Sequence, residues 1–260
     1  MLLENKDDNM KRYYHIYSLT MADIDPNNRM TPMAVLSYFQ DAIGRFLSLA
    51  RVSALDLVKE GATWMITEFH ATFSDELPSW PGIVSVEVFL SEISSVRSHV
   101  DFIVRDNKGS IVSRGTSIWV MIDLASRRII PCSQNQRFVD QYDEANHTSY
   151  TRYIFPFPNM THSSPTDMYT VTPLDTDFND HVSNRDYFRM AMAMAMADLQ
   201  EPEKKMLSAV HVKFLQETHV GEVLSCFRHS NQTDILNVWL TKNGCGEVAC
   251  QMVAEWRPTS

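Results

Sequence analysis

The chain has 260 residues, enough for one large core or two smaller ones, with 44% hydrophobic and 21% charged residues. Its net charge of −9 argues against broad nucleic-acid binding, which needs a basic surface. The N-terminus becomes charged after three residues and no apolar run approaches the roughly 20 residues of a membrane span, so we expect a cytoplasmic protein without a signal peptide or membrane span.

The first predicted elements are a strand over about 13–19, a polar turn over 23–31 and a helix over 32–50. Thr31 is a suitable N-cap, and Pro32 suits the first helical position. Apolar residues then recur at helical spacing, at Val35, Leu36, Phe39, Ile43, Phe46, Leu47 and Ala50. Strands are predicted to follow over about 63–73, 83–93, 98–105 and 113–122.

The second half follows the same plan after a polar segment at 138–166. A strand over about 167–171 leads into a turn at 175–183, and Ser183 and Asp186 resemble a capping box. Residues Met190–Ala197 alternate Met and Ala, which by period alone suggests a strand, but both are strong helix formers and predict a buried helix. Strands are predicted over about 208–214, 223–229, 234–241 and 247–256.

Three sets of residues repeat in the same order along the two halves. Asp23, Asp25, Asn27 and Thr31 match Asp175, Asp177, Asn179 and Ser183 at an offset of 152. His70, Phe73 and Glu76 match His211, Phe214 and Glu217 at an offset of 141, and Trp119 matches Trp256 at 137. The repeat predicts a tandem α+β architecture, with one long helix on an antiparallel sheet in each half. We expect domains at 1–137 and 167–260 joined by a linker at 138–166.

The turn at 175–183 carries the residues best suited to chemistry. Asp177, Asn179 and His181 alternate, so in an extended stretch they share one face, beside the unpaired N–H groups of a helix start. Such residues also serve as plain turn and capping residues. The first-half copy has Arg29 where the second has His181, so the imidazole exceeds what the turn itself needs.

Other site types find little support in the sequence. Five residues match ligand positions of an EF-hand loop: Asp175, Asp177, Asn179, Ser183 and Asp186. The sixth position of that loop, however, is Asp180 instead of Gly, and Asp186 replaces the chelating Glu. The histidines are scattered and no H-E-x-x-H or G-x-S-x-G occurs. We therefore expect no metal and no cofactor, and we interpret the four cysteines as buried hydrophobes: Cys132, Cys226, Cys245 and Cys250.

Several motifs along nearly the whole chain resemble the acyl-ACP thioesterase family of plant plastids and bacteria, which has a tandem hot-dog fold. The segment 177–184, Asp-Phe-Asn-Asp-His-Val-Ser-Asn, resembles the family signature D-x-N-x-H-V-N-N. Segments 63–67 and 119–128 resemble two first-half signatures, and 214–218 resembles the strand with the family's catalytic Glu.

The resemblance implies a catalytic set of Asp177, Asn179, His181 and Glu217. Backbone N–H groups near Val182 and Ser183 are expected to polarise the thioester carbonyl. Glu217, helped by His181, would activate water, or Glu217 itself would attack. Thr218 stands where the plant enzymes have Cys, which argues against a covalent cysteine mechanism.

The resemblance also implies the substrate, a fatty acyl chain on the phosphopantetheine of acyl carrier protein (ACP). The acyl channel is expected beneath the helix at 32–50, near Trp64 and Met65, which hydrophobicity alone would place in the core. Candidate contacts to the acidic carrier are the basic residues Arg127, Arg128, Arg185, Arg189 and Lys213. The alternatives are an acyl-CoA thioesterase, an acyl dehydratase and a non-catalytic acyl-binding protein. The motifs do not define the preferred length of the acyl chain, and they are compatible with a monomer or a homodimer.

Overall fold

The computed structural model describes residues 11–147, 150–156, 165–197, 199, 201, 204–232 (without the side chains of 231 and 232), 234–244 and 246–259. These residues form the α-helices α1 (Pro32–Leu49), α2 (Ala54–Val58), α3 (Gln136–Val139) and α4 (Asn184–Ala197). Their strands are β1 (Arg12–Ser18), β2 (Ala62–Phe73), β3 (Ile83–Ile93), β4 (Ser98–Arg105), β5 (Ile111–Asp123), β6 (Ile129–Ile130), β7 (Asp167–Thr170), β8 (Lys205–Phe214), β9 (Val223–Gln232), β10 (Ile235–Lys242) and β11 (Glu247–Pro258).

All eleven strands join one antiparallel sheet in the order β1-β3-β4-β5-β2-β8-β11-β10-β9-β7, with β6 on β5. The two long helices α1 and α4 pack on this sheet and against each other. Buried apolar residues of both halves form one continuous cluster between the helices and the sheet. The predicted α+β class, with a long helix on an antiparallel sheet in each half, is confirmed.

The repeat has a structural counterpart where β2 meets β8. His70 pairs directly with His211, its own equivalent at the offset of 141, and Glu68 and Thr72 pair with Lys213 and Ala209. At this offset Glu68 corresponds to Ala209 and Thr72 to Lys213, so the two pairs are exchanged by a local two-fold axis that passes between the two histidines. The match of Trp119 to Trp256 also holds, since these pair with the equivalent residues Ile66 and Leu207.

Beyond these strands the correspondence shifts by one residue. Val182 N–H donates to the Thr218 carbonyl at 2.8 Å, and its first-half equivalent Met30 donates to Pro78 at 2.8 Å. Pro78 is therefore the counterpart of Thr218, at an offset of 140. The predicted match of Glu76 to Glu217 is wrong by one position, and Leu77 is the first-half counterpart of Glu217.

Both long helices begin at the N-cap residues that the sequence predicted. The Thr31 hydroxyl accepts from Ala34 N–H at 3.2 Å, and the Ser183 hydroxyl accepts from Asp186 N–H at 3.0 Å. Met190–Ala197 is helical as predicted, but it is not buried all round. Met196 is half exposed, because only one face of α4 packs on the sheet and on α1.

The remaining differences are short elements and strand ends. The short helices α2 and α3 and strand β6 were not predicted, and most strands extend one to three residues beyond their predicted ends. Glu217 was expected at the end of a strand, but β8 ends at Phe214 and Glu217 lies in the following loop. Cys132, Cys226 and Cys250 are buried as expected, while Cys245 lies outside the described residues. Among the described helices, none is long and apolar enough to cross a membrane.

Candidate active site

The second turn, residues 175–183, is built on the buried carboxylate of Asp175. Its oxygens accept from the backbone N–H and hydroxyl of Thr172 at 2.8 and 2.7 Å and from the hydroxyl of Tyr169 at 2.9 Å. Burial alone would raise the pKa of Asp175, but these hydrogen bonds and the guanidinium of Arg189 lower it below its usual value. Asp175 is therefore an ionised structural anchor of the turn.

Above this anchor the backbone forms a tight loop. Asp177 N–H donates to the His181 carbonyl at 3.1 Å, and the Asp177 carboxylate accepts from Asn179 N–H at 2.8 Å. Asp180 adopts a φ of 61°, a left-handed conformation that Asp tolerates better than most residues. The loop brings the side chains of Asp177, Asn179 and His181 to one cavity.

His181 faces Glu217, with 3.8 Å between Nε2 and Oε1. Its other ring nitrogen, Nδ1, lies 3.2 Å from the Val182 carbonyl oxygen. A carbonyl oxygen only accepts, so this contact places a proton on Nδ1 and leaves Nε2 to exchange a proton on the Glu217 side. The side chains are 23% and 33% exposed, so a small molecule can reach the pair.

Arg127 contributes to this pair from the first half of the chain. Its guanidinium binds Glu217 Oε1, and it lies in the turn after β5 with a φ of 57°. Lys242 Nζ donates to the Glu217 backbone carbonyl at 2.9 Å. From the sequence, Arg127 was predicted only as a contact to the carrier protein. No local pattern indicates its contact with Glu217, because the two residues are 90 positions apart.

A cavity of about 960 Å³ extends from these side chains into the first half. Asp177, Asn179, His181 and Glu217 line its polar end. Residues of α1, α2 and β2 line the rest, including Ile43, Leu47, Leu55, Trp64 and Met65. Trp64 is nearly buried, and its indole N–H donates to the Val52 carbonyl at 2.8 Å. The cavity is thus a largely apolar space with titratable groups at one end.

The structure contradicts the predicted role of two backbone groups. Val182 N–H already donates to the Thr218 carbonyl, and Ser183 N–H donates to the Asp175 carbonyl at 2.9 Å. Neither is available to polarise a bound carbonyl. The N–H groups of Asn184 and Arg185 come next, at the first two positions of α4, where an α-helix provides no acceptor. Both residues line the cavity.

Two family models together cover most of the chain. The acyl-ACP thioesterase N-terminal domain matches residues 10–139, and the acyl-ACP thioesterase C-terminal domain matches residues 159–258. The chain belongs to the acyl-ACP thioesterase family. Solved structures with this fold include an acyl-ACP thioesterase from Bacteroides thetaiotaomicron (TM-score 0.83, 21% identity, 95% of this chain and 98% of that one). The 12:0-ACP thioesterase from Umbellularia californica is similar to the same degree (TM-score 0.83, 18% identity, 95% and 98%). The predicted hot-dog fold is confirmed.

The curated members of this family that the chain matches are longer. A chloroplastic palmitoyl-acyl carrier protein thioesterase from Arabidopsis thaliana is 25% identical over 76% of this chain and 48% of its own length. A chloroplastic dodecanoyl-[acyl-carrier-protein] hydrolase from Cinnamomum camphora is 22% identical over 93% of this chain and 66% of its own. The chain thus spans between about half and two thirds of these relatives.

Proposed function

We propose that the protein hydrolyses fatty acyl-ACP thioesters to free fatty acid and holo-ACP. The observation that carries the proposal is the pair His181 and Glu217, 3.8 Å apart, at the polar end of a largely apolar cavity of about 960 Å³. A thioester bound there would have its acyl chain in the apolar part and its carbonyl beside the pair. Family membership and the names of the relatives support this substrate class.

Glu217 acts as the general base and His181 as its proton-transfer partner in this mechanism. Glu217 takes a proton from a water molecule whose oxygen bonds to the carbonyl carbon. Glu217 passes this proton to Nε2 of His181, the carbon–sulfur bond breaks, and His181 gives the proton to the departing pantetheine sulfur, so both side chains return to their starting state. Attack by the carboxylate itself, through an anhydride, is the alternative that uses the same geometry.

The developing oxyanion would be stabilised at the start of α4. Since the N–H groups of Val182 and Ser183 are occupied, those of Asn184 and Arg185 take this role, aided by the positive end of the helix dipole. The carboxylate of Asp177 and the amide of Asn179 line the same end of the cavity and orient His181 and the substrate.

The Thr218 side chain is excluded as a nucleophile by its position. Thr218 is fully buried, and its hydroxyl lies 2.6 Å from the hydroxyl of Tyr187, beneath the loop that carries Glu217. A side chain at this position packs behind Glu217 and does not line the cavity. This agrees with a mechanism in which water or Glu217, and no thiol or hydroxyl, attacks the thioester.

Exposed arginines at the cavity mouth suit the acidic carrier protein. Arg127 and Arg185 line the cavity, and Arg128 is exposed next to Arg127. Three of the candidates are engaged within the protein: Arg127 binds Glu217, Arg189 is held by Asp175 and Asp186, and Lys213 lies over the Phe155 ring. The proposed contact with ACP therefore has fewer residues than the sequence indicated, namely Arg128 and Arg185.

The test is hydrolysis of a panel of acyl-ACPs of different chain lengths, with the same acyl-CoAs as a second carrier. His181→Ala and Glu217→Ala should each lower kcat/KM by about 10²- to 10⁴-fold, the range for a general acid or base, with Tm nearly unchanged. Glu76→Ala, which removes an exposed first-half carboxylate, is the matched control and should behave like wild type. Undiminished turnover in both site variants, or no turnover of any acyl-ACP, contradicts the proposal; equal turnover of acyl-CoA contradicts the choice of carrier.

A further inference from the structure

The loop that carries Glu217 is attached to α4 through one buried hydroxyl group. The Tyr187 hydroxyl lies 2.9 Å from the Gln216 carbonyl oxygen and 2.6 Å from the Thr218 hydroxyl, so it contacts both neighbours of Glu217. Tyr187 is 2% exposed and Thr218 is 0% exposed. The contacts therefore form in the interior, where a hydrogen bond is stronger than in water.

The direction of these hydrogen bonds follows from the number of protons. The Gln216 carbonyl only accepts, so the single Tyr187 O–H proton goes to it. The Thr218 hydroxyl then donates to the Tyr187 oxygen. Burial raises the pKa of Tyr187 above its ordinary value of 10.0, so Tyr187 keeps its proton throughout the working pH range.

The first half lacks this hydroxyl pair. The helix position of Tyr187 is held there by Val35, and that of Thr218 by Pro78, so both side chains are apolar. The backbone hydrogen bond that ties the loop to the turn is nevertheless kept, from Met30 N–H to the Pro78 carbonyl at 2.8 Å. The loop conformation thus forms without the hydroxyls, and the pair occurs only in the half that has Glu217.

We propose that Tyr187 and Thr218 are positioning residues that hold the Glu217 carboxylate at His181. The proposal rests on the proposed function, in which Glu217 is the base. Glu217 sits between the two residues that the Tyr187 hydroxyl binds, so a shift of this loop moves the carboxylate relative to the thioester. A displacement of about 1 Å at a reacting group costs about 10²-fold in rate.

The experiment measures acyl-ACP hydrolysis by wild type, Tyr187→Phe, Thr218→Val and Thr218→Ser. Tyr187→Phe keeps the ring and removes the hydroxyl, and we expect kcat to fall about 10- to 100-fold with KM changed less than about twofold. Thr218→Val should lower kcat similarly, while Thr218→Ser restores the donor and should stay near wild type. Because the two hydroxyls act as one unit, the double variant Tyr187→Phe/Thr218→Val should be no slower than Tyr187→Phe alone.

Tyr38→Phe is the matched control, because Tyr38 also donates a hydroxyl hydrogen bond from a long helix, to Asp23 at 2.7 Å. It should lower Tm about as much as Tyr187→Phe and leave kcat unchanged. Wild-type kcat in Tyr187→Phe, equal kcat losses in Thr218→Val and Thr218→Ser, or a kcat loss in Tyr38→Phe would overturn the proposal. Glu217→Ala separates the two ideas: if it stays active, the proposed role of Glu217 fails, and if it is inactive while Tyr187→Phe is normal, only the positioning role fails.

Discussion

The first turn, residues 23–31, and the second turn, residues 175–183, share one backbone and differ in what their side chains do. Both close with the same hydrogen bond, from Thr31 N–H to the Asp23 carbonyl at 2.8 Å and from Ser183 N–H to the Asp175 carbonyl at 2.9 Å. The fourth residue before each helix cap is an asparagine, Asn27 or Asn179, and the residue that follows it, Asn28 or Asp180, has a left-handed backbone conformation in both turns.

The side chain that follows decides the difference. In the first turn Arg29 Nε and Nη2 lie 3.0 and 2.9 Å from Asp25 Oδ2, so the cation neutralises the carboxylate of its own turn. In the second turn His181 is directed toward Glu217, and no ion pair to the Asp177 carboxylate is found within the described residues. The same backbone thus carries an internal ion pair in the first half. In the second half it presents the side chains of Asp177 and His181 to the cavity.

The largest effect is expected from making the second turn a copy of the first. In His181→Arg the guanidinium should bind Asp177 as Arg29 binds Asp25, and the imidazole is lost. We expect kcat/KM for acyl-ACP to fall about 10²- to 10⁴-fold, as for loss of a general acid or base, with little change in Tm. The reverse change, Arg29→His, is the control and should leave kcat unchanged; an active His181→Arg enzyme would show that the two turns do not differ in the way we describe.

A smaller effect is expected from Arg127, which reaches the second turn's Glu217 from the first half. Arg127→Gln removes a partly exposed ion pair, and such pairs contribute about 1 kcal/mol or less, so kcat should fall by about 10-fold at most. Arg128→Gln, one residue further and exposed, is the matched control for charge. It should raise KM for acyl-ACP and leave kcat unchanged; equal kcat losses in both variants would contradict a specific role of Arg127.

The local features of this comparison could be predicted from the sequence. The caps at Thr31 and Ser183 and the spacing of apolar residues depend on neighbours a few positions away, and the structure has the two long helices there. The repeat also aligned the two turns and identified His181 as the residue that differs. Short helices such as α2 and α3 carry too few residues for a periodic pattern.

The long-range features could not be predicted in this way. Glu217 was identified through the family resemblance alone. Its loop follows β8 and lies beside His181, which precedes α4, only because the fold places these two elements together. The expected role of the Val182 N–H was wrong for the same reason, since its acceptor, the Thr218 carbonyl, lies 36 residues further along the chain. The contacts of Arg127 and Tyr187 with the Glu217 loop belong to this class as well.

The smallest effect on activity should come from the anchors of the two turns, Asp23 and Asp175, whose replacement acts mainly on stability. Burial alone would raise the pKa of Asp23, but hydrogen bonds from Thr20 and Tyr38 lower it, as those of the second turn lower the pKa of Asp175. A carboxyl whose folded-state pKa is depressed stabilises the fold above its unfolded pKa of about 3.9, and this stabilisation is lost as the pH falls through the folded value. Asp23→Asn and Asp175→Asn should therefore lower Tm at pH 7, and the deficit should shrink toward pH 3.

The two anchors should differ in size of effect. Loss of each anchor's hydrogen bonds is expected to cost about 1–3 kcal/mol, with Asp175→Asn the more destabilising, since Asp175 also binds Arg189 at 2.7 Å. Only Asp175→Asn should also lower kcat, because it loosens the turn that carries His181. Thermal unfolding between pH 3 and pH 7, with kcat at pH 7, measures both. A Tm deficit that stays constant with pH would contradict the stabilising role of the ionised carboxylates. An equal kcat loss in Asp23→Asn would contradict a specific link between Asp175 and His181.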